Sequence, residues 1–325
     1  MEILKKHPRI FIGSLIIALC LCFFIAINIG SVKVTPSELF RGLFIEFNQD
    51  VASIYNIRFP RVIASMLVGG ALALSGLLLQ VVLKNPLADP GIIGVSSGAS
   101  LVATFVMLMI PELYFFAPIF AFIGGMLTFL LIYFLAWKTG LNTTRILLIG
   151  VAVNYTLTAL LDFLSSSSST LTSQVAGQLT FTTWSDVLPL AMYLIPFLLI
   201  SLFLYKACDL LGLEDKTLLS LGINVKTYRF VISLIAVVLC SVSVAIVGII
   251  SFVGLIVPHI SRLCIGSQHR YLIPVNILLG SLTLLIADTI GRVIIAPYEI
   301  SSAIIMAIIG GPVFILLLKR GIQHD

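Results

Sequence analysis

Apolar residues run through this chain in long unbroken stretches, and polar residues gather in the short intervals between them. The stretches fall near 10–29, 62–82, 91–109, 117–137, 145–164, 187–206, 229–249, 252–265, 272–291 and 303–319. Most are long enough for an α-helix to cross about 30 Å of hydrocarbon, and none shows the alternation of a membrane β-strand. The pattern predicts an all-α polytopic membrane protein of ten spans, with 252–265 the least regular because it is short and carries Pro258.

The intervals differ in length and character. Residues 30–61 form a long connection opening on Thr35-Pro36-Ser37-Glu38, a capping-type start for a short surface helix. Residues 207–229 form a second, with Leu213, Leu218, Leu219 and Leu221 set among charges, too polar to span and too apolar for a linker. The run SSSSST at 165–170 predicts a flexible turn. Between spans two and three, NPLADPGIIGVSSGAS at 85–100 lets Pro86 and Pro90 end one helix and start the next, with Asn85 and Asp89 free to satisfy exposed backbone groups. GIISFVGLIVPH at 248–259 is a comparable interruption in the second half, in the opposite orientation, which hints at an inverted repeat.

Charge then orients the spans. Of 19 Lys and Arg residues, only Lys33, Arg41, Arg58, Arg61 and Arg292 fall outside if the N-terminus lies inside. Such a bias places both termini in the cytoplasm. The first span follows Lys5, Lys6 and Arg9 as a signal peptide would, but it is long for an apolar core and lacks a small-residue cleavage site, so it reads as a retained helix. With 59% hydrophobic residues, 10% charged and a mean hydropathy of +1.16, the chain lacks the polar surface of a soluble globule. The odd set of five cysteines implies no disulfide framework.

Candidate chemistry is sparse. No GxxxxGK[ST] loop, CxxC or HExxH occurs, and His7, His259, His269 and His324 are scattered, so no enzymatic site, cofactor, metal or nucleic-acid partner is indicated. Asp288 is the clearest charge within a span, with Arg292 one turn on, an i,i+4 pair that satisfies both groups. Arg58 and Arg61 in RFPR lie at a helix start, where the macrodipole disfavours cations, so an acidic group should compensate. Anchoring on lipid phosphates and an outward basic docking spot, joined by Arg292, are both open.

The segments RFPR, GGALALSGLLLQVVLKNPLADPGIIGVSSGA, FVGLIVPHISRL and GGPVFILLLKR closely resemble the FecCD-type permeases, membrane subunits of ATP-driven importers of ferric siderophores, haem and vitamin B12. The resemblance covers essentially residues 1–325 as one permease domain, and PELYFFAPIFAFIGG and LTFTTWSDV look most like Gram-positive haem permeases. It implies a multi-pass cell-membrane subunit that pairs with a second permease, with ATP-binding cassette ATPases beneath and an extracytoplasmic binding lipoprotein above. By the same resemblance, Asn85, Leu87, Thr143 and Thr144 match a cytoplasmic gate. Asp215, Leu218, Leu219, Leu221 and Gly222 match the ATPase-coupling helix within 207–229, and Arg58, Arg61 and Arg292 match positions that meet the binding protein. The serine-rich 165–170 departs from the pattern. An ion-coupled secondary transporter is the competing class, disfavoured by the few membrane charges.

Overall fold

The computed structural model describes residues 7–29, 52, 54–137, 143–166, 179–295 and 298–321, and all secondary structure named below lies within them. Thirteen α-helices are formed: α1 Pro8–Asn28, α2 Phe59–Leu83, α3 Pro90–Ile93, α4 Val95–Met109, α5 Ala117–Trp137, α6 Thr143–Ser166, α7 Trp184–Phe203, α8 Tyr205–Leu211, α9 Asp215–Ser220, α10 Val225–Val247, α11 Val253–Ile265, α12 His269–Val293 and α13 Ser302–Gly321. Ten of them coincide with the predicted spans. Two of the ten, α4 and α11, are shorter than the rest. The helix expected near Thr35 and most of the serine run lie outside the described residues. All five cysteines are free.

Helix α2 is the axis of the bundle. It is buried along nearly its whole length and packs against α12, α10, α11 and α7, because its sequence offers small residues where other backbones pass. A Cβ on Gly69 would meet the Gly280 carbonyl on α12, and one on Gly76 would meet the backbone of Gly254 on α11. Ser75 ties α2 to α10 by donating to Ala236 O at 2.7 Å, and Ser281 ties α12 to α2 by donating to Met66 O at 2.6 Å.

Neighbour relations repeat between the halves. Helix α2 meets α12 and α11 as α10 meets α5 and α4, and α4 packs on α5 and α6 as α11 packs on α12 and α13. Both short helices follow a left-handed residue. Gly94 (φ 90°) precedes α4, while Phe252 (φ 70°) precedes α11 and lies over Gly310 of α13. The two interruptions seen in the sequence are therefore equivalent breaks at which a helix starts inside the bundle.

Candidate functional site

Two polar regions stand at opposite ends of α2, called inner and outer after the charge bias. At the inner end, Lys84 closes α2 in the left-handed region (φ 49°, ψ 40°), a conformation that costs a non-glycine residue roughly 1 kcal/mol or more. Asn85 Oδ1 then accepts from Leu87 N at 2.8 Å, and Asp89 Oδ1 accepts from Gly91 N at 2.8 Å and Ile92 N at 3.3 Å, capping α3 with Pro90 at its first position. The cap roles expected of Asn85 and Asp89 are thus filled. Leu87 and Asn85 are half-buried. Thr143 and Thr144 begin α6, but their side chains lie outside the described residues.

The strained Lys84 reaches across to the residues that open α9. Its Nζ donates to Leu213 O at 2.5 Å and to Asp215 Oδ1 at 2.9 Å, and Arg229 Nη2 of α10 donates to the same oxygen at 2.9 Å. The Lys84 hydrogen bond, aided by the Arg229 charge, holds the Asp215 carboxyl below its usual range. Asp215 therefore joins α9 to the ends of α2 and α10. Above this bridge Leu218 is fully buried, whereas Leu219 and Leu221 are 65% and 62% exposed. Gly222 (φ 73°) ends the segment with open space where a Cβ would stand. Of the three leucines grouped by the family resemblance, Leu218 is an internal anchor and Leu219 and Leu221 form an outward apolar pair.

The outer end is built differently. One π-type turn, Ile54–Arg58, leads into α2 and sets Arg58 and Arg61 on its first turns. Arg61 Nε lies 2.9 and 3.0 Å from the Asp288 carboxylate oxygens, and its Nη1 lies 2.6 Å from Glu299 Oε2. Arg292 Nε stands 3.4 Å from Asp288 Oδ2, and its Nη2 donates to Ala26 O at 3.0 Å. Arg58 donates to Ile27 O at 2.8 Å. All three guanidinium groups are buried or nearly so, and Asp288 is wholly buried.

The acidic compensation expected for the helix-start arginines is present for Arg61, from α12 and the segment after it, whereas Arg58 is met by the Ile27 carbonyl. The i,i+4 pairing of Asp288 with Arg292 is real yet longer than the pairing with Arg61. Glu299 was not singled out by the sequence, and no periodicity links it to residue 61. The outer arginines and the inner residues do not form one site, since Arg61 stands near the start of α2 and Lys84 at its end. Among the described residues no group of His, Cys, Asp and Glu could hold a metal ion.

The model of the FecCD transport family matches residues 17–320. The "Probable heme-iron transport system permease protein IsdF" of Staphylococcus aureus strain Newman is 39% identical over 315 residues, covering 97% of each chain. The protein of the same name from strain MSSA476 is equally similar. A solved metal-chelate type ABC transporter in an inward-facing conformation superposes with a TM-score of 0.80 and 28% identity, over 97% of this chain and 100% of that one. PsaBC from Streptococcus pneumoniae shares the fold at a TM-score of 0.58 and 16% identity, over 87% of this chain and 95% of that one.

Proposed function

The chain belongs to the FecCD transport family, and we propose that it is the permease of an importer that carries haem iron across the cell membrane. A multi-pass permease subunit of an ATP-driven importer is the common ground of its relatives, and the full-length similarity to the haem-iron permease carries the choice of cargo. Ferric siderophores are the second reading, favoured by the metal-chelate transporter that shares the fold over the full chain. Vitamin B12 has no such support.

The free energy enters through partner ATPases. Helix α9 offers them Leu219 and Leu221 beside the open Gly222, and the Lys84–Asp215–Arg229 bridge transmits movement of α9 to the inner ends of α2 and α10. The turn at Asn85 and Leu87 directly follows Lys84, so displacement there would open or close the inner mouth together with the start of α6 at Thr143 and Thr144. A second permease copy faces α6, whose exposed residues include Tyr155, Thr156 and Asp162, polar groups that a lipid-facing surface would not favour.

Docking of a binding protein falls on the outer end. Among the described residues that touch the buried arginines, the exposed charge is Glu299, whose side chain is 38% exposed. An acidic lobe would have to draw Arg61 from Glu299, while Arg58 and Arg292 hold the end of α1.

Uptake by vesicles holding this permease, its ATPase and its binding protein tests the reading. ATP-dependent haem accumulation without an ion gradient is expected. Accumulation of ferric siderophore but not haem would replace the cargo, and dependence on an ion gradient in place of ATP would overturn the importer class.

A further inference from the structure

The turn that joins α12 to α13 meets the outer end of α2 through one carboxylate. Its backbone is held by Ile300 N donating to Gly291 O at 2.9 Å and Tyr298 N donating to Ile295 O at 2.9 Å, while Ile294, Ile295 and Tyr298 are 61%, 54% and 77% exposed. From this exposed turn Glu299 reaches Arg61. The Arg61 guanidinium is divided between two carboxylates: Nε and Nη2 each stand 2.9 Å from Asp288 Oδ1, and Nη1 stands 2.6 Å from Glu299 Oε2. Asp288 is closed to water and Glu299 is not, so the edge of Arg61 nearest the outside is the edge that Glu299 covers. Arg58 and Arg292 meanwhile donate to the Ile27 and Ala26 carbonyls.

We infer that Glu299 is an internal competitor for the binding protein: it occupies Arg61 in the undocked permease, yields it to a carboxylate of the docked partner, and takes it back when the partner leaves. The inference rests on the docking reading above and adds to it the residue that sets how tightly docking can proceed. Exchange of one carboxylate for another keeps the charge-assisted bond to Nη1. Arg61 is almost wholly buried, and a guanidinium in such a place is costly to leave without its partner, so the undocked state needs a carboxylate of its own. The consequence is lower affinity: only the fraction of molecules in which Arg61 is released is competent, and the apparent dissociation constant rises by the inverse of that fraction. A partner held this way docks less tightly and leaves more readily.

The test measures binding of the soluble, haem-loaded part of the binding lipoprotein to the permease–ATPase complex in lipid nanodiscs, for wild type, Glu299→Gln and Glu299→Ala. Gln keeps the shape and removes the charge, and Ala also removes the amide that could hold Arg61. Since Glu299 lies partly in water, unfolding of both variants should stay near wild type. Docking is expected to tighten roughly fivefold in Glu299→Gln and at least as much in Glu299→Ala, with slower release. A merely structural role for Glu299 predicts the opposite sign. Glu112→Gln is the control, because Glu112 is an exposed carboxylate in the turn Pro111–Phe116 at the same outer end and should dock as wild type does. Unchanged or weaker docking in both Glu299 variants would overturn the inference. Equal tightening in Glu112→Gln would also overturn it, by showing a general effect of surface charge. Wild-type docking and ATP-dependent uptake report on the permease reading separately: a wild type that docks and transports while the Glu299 variants dock no tighter loses only the competitor, whereas a wild type that neither docks nor transports loses both.

Discussion

Asp288 and Asp215 solve the same problem in opposite surroundings. Each is a single carboxylate held between two cations, Asp288 by Arg61 and Arg292 at the outer end, Asp215 by Lys84 and Arg229 at the inner end. Each joins α2 to a helix of the second half. Asp288 is wholly buried, however, whereas the Asp215 side chain is 47% exposed. In an apolar setting a charge without its partner is very costly, so the outer cluster acts as a fixed joint. In contact with water, a pair is worth little more than thermal energy and is readily exchanged. A transporter needs both kinds: a rigid end to keep the helices in register and a loose end where a partner can move them.

The sharpest way to break this contrast is to remove the buried carboxylate. Asp288→Ala leaves Arg61 and Arg292 side by side without their shared counter-ion, and a loss of about 3–5 kcal/mol in stability is expected. Arg61→Glu should be as severe, because it sets a third carboxylate beside Asp288 and Glu299. Thermal unfolding of the purified protein, or the fraction recovered as a single species in detergent, measures this. A Asp288→Ala protein that unfolds with wild type would show that the outer cluster is not a joint. Charge reversal at Arg61 therefore reports on folding before it reports on docking.

Much of the architecture was legible because helix length and hydrophobic continuity are local properties. The ten spans, the breaks near Asp89 and Phe252, and the caps at Asn85 and Asp89 all follow from runs, prolines and cap residues within a few positions of one another. Apart from the i,i+4 pair of Asp288 and Arg292, the bridges were not legible. Arg61 meets Asp288 and Glu299 across more than two hundred residues, and Lys84 meets Asp215 from a different half of the chain. The sequence required an acidic partner for the helix-start arginines without indicating which one. It likewise grouped Leu218 with Leu219 and Leu221, since over one turn and a half of helix the direction of each side chain depends on what α9 packs against.

That distinction among the leucines sharpens the comparison from the inner side. Leu219→Asp with Leu221→Asp should abolish copurification of the ATPase and ATP-driven uptake while leaving folding near wild type, because exposed positions seldom shift stability by more than about 0.5 kcal/mol. Leu218→Asp should instead destabilise the whole chain, as a charge placed in a fully buried site. Copurification and unfolding measured on both variants separate a contact surface from a core position. If the exposed pair can be reversed with uptake intact, α9 does not seat the partner.

The smallest effect is expected at Asp215 itself, and it is the most diagnostic of a loose joint. Asp215→Asn keeps the shape and removes the charge that binds Lys84 and Arg229; exposed pairs of this kind contribute less than about 1 kcal/mol. Unfolding should scarcely change, while the fraction of ATP hydrolysis that drives uptake should fall. The pH dependence follows from the sign of the shift. The Asp215 carboxyl is depressed in the folded protein, so its contribution is complete above the ordinary carboxylate range and disappears as pH falls through the lower folded value. Between neutral pH and about pH 5 wild type and Asp215→Asn should therefore keep a constant difference in coupling, which closes only in stronger acid. Salt should narrow the difference at neutral pH, since an exposed bridge is screened within about 10 Å at 0.1 M. The Asp288 joint, shielded from water, should show no such salt response. A coupling ratio equally sensitive to salt at both carboxylates would mean that burial does not separate the two ends of α2.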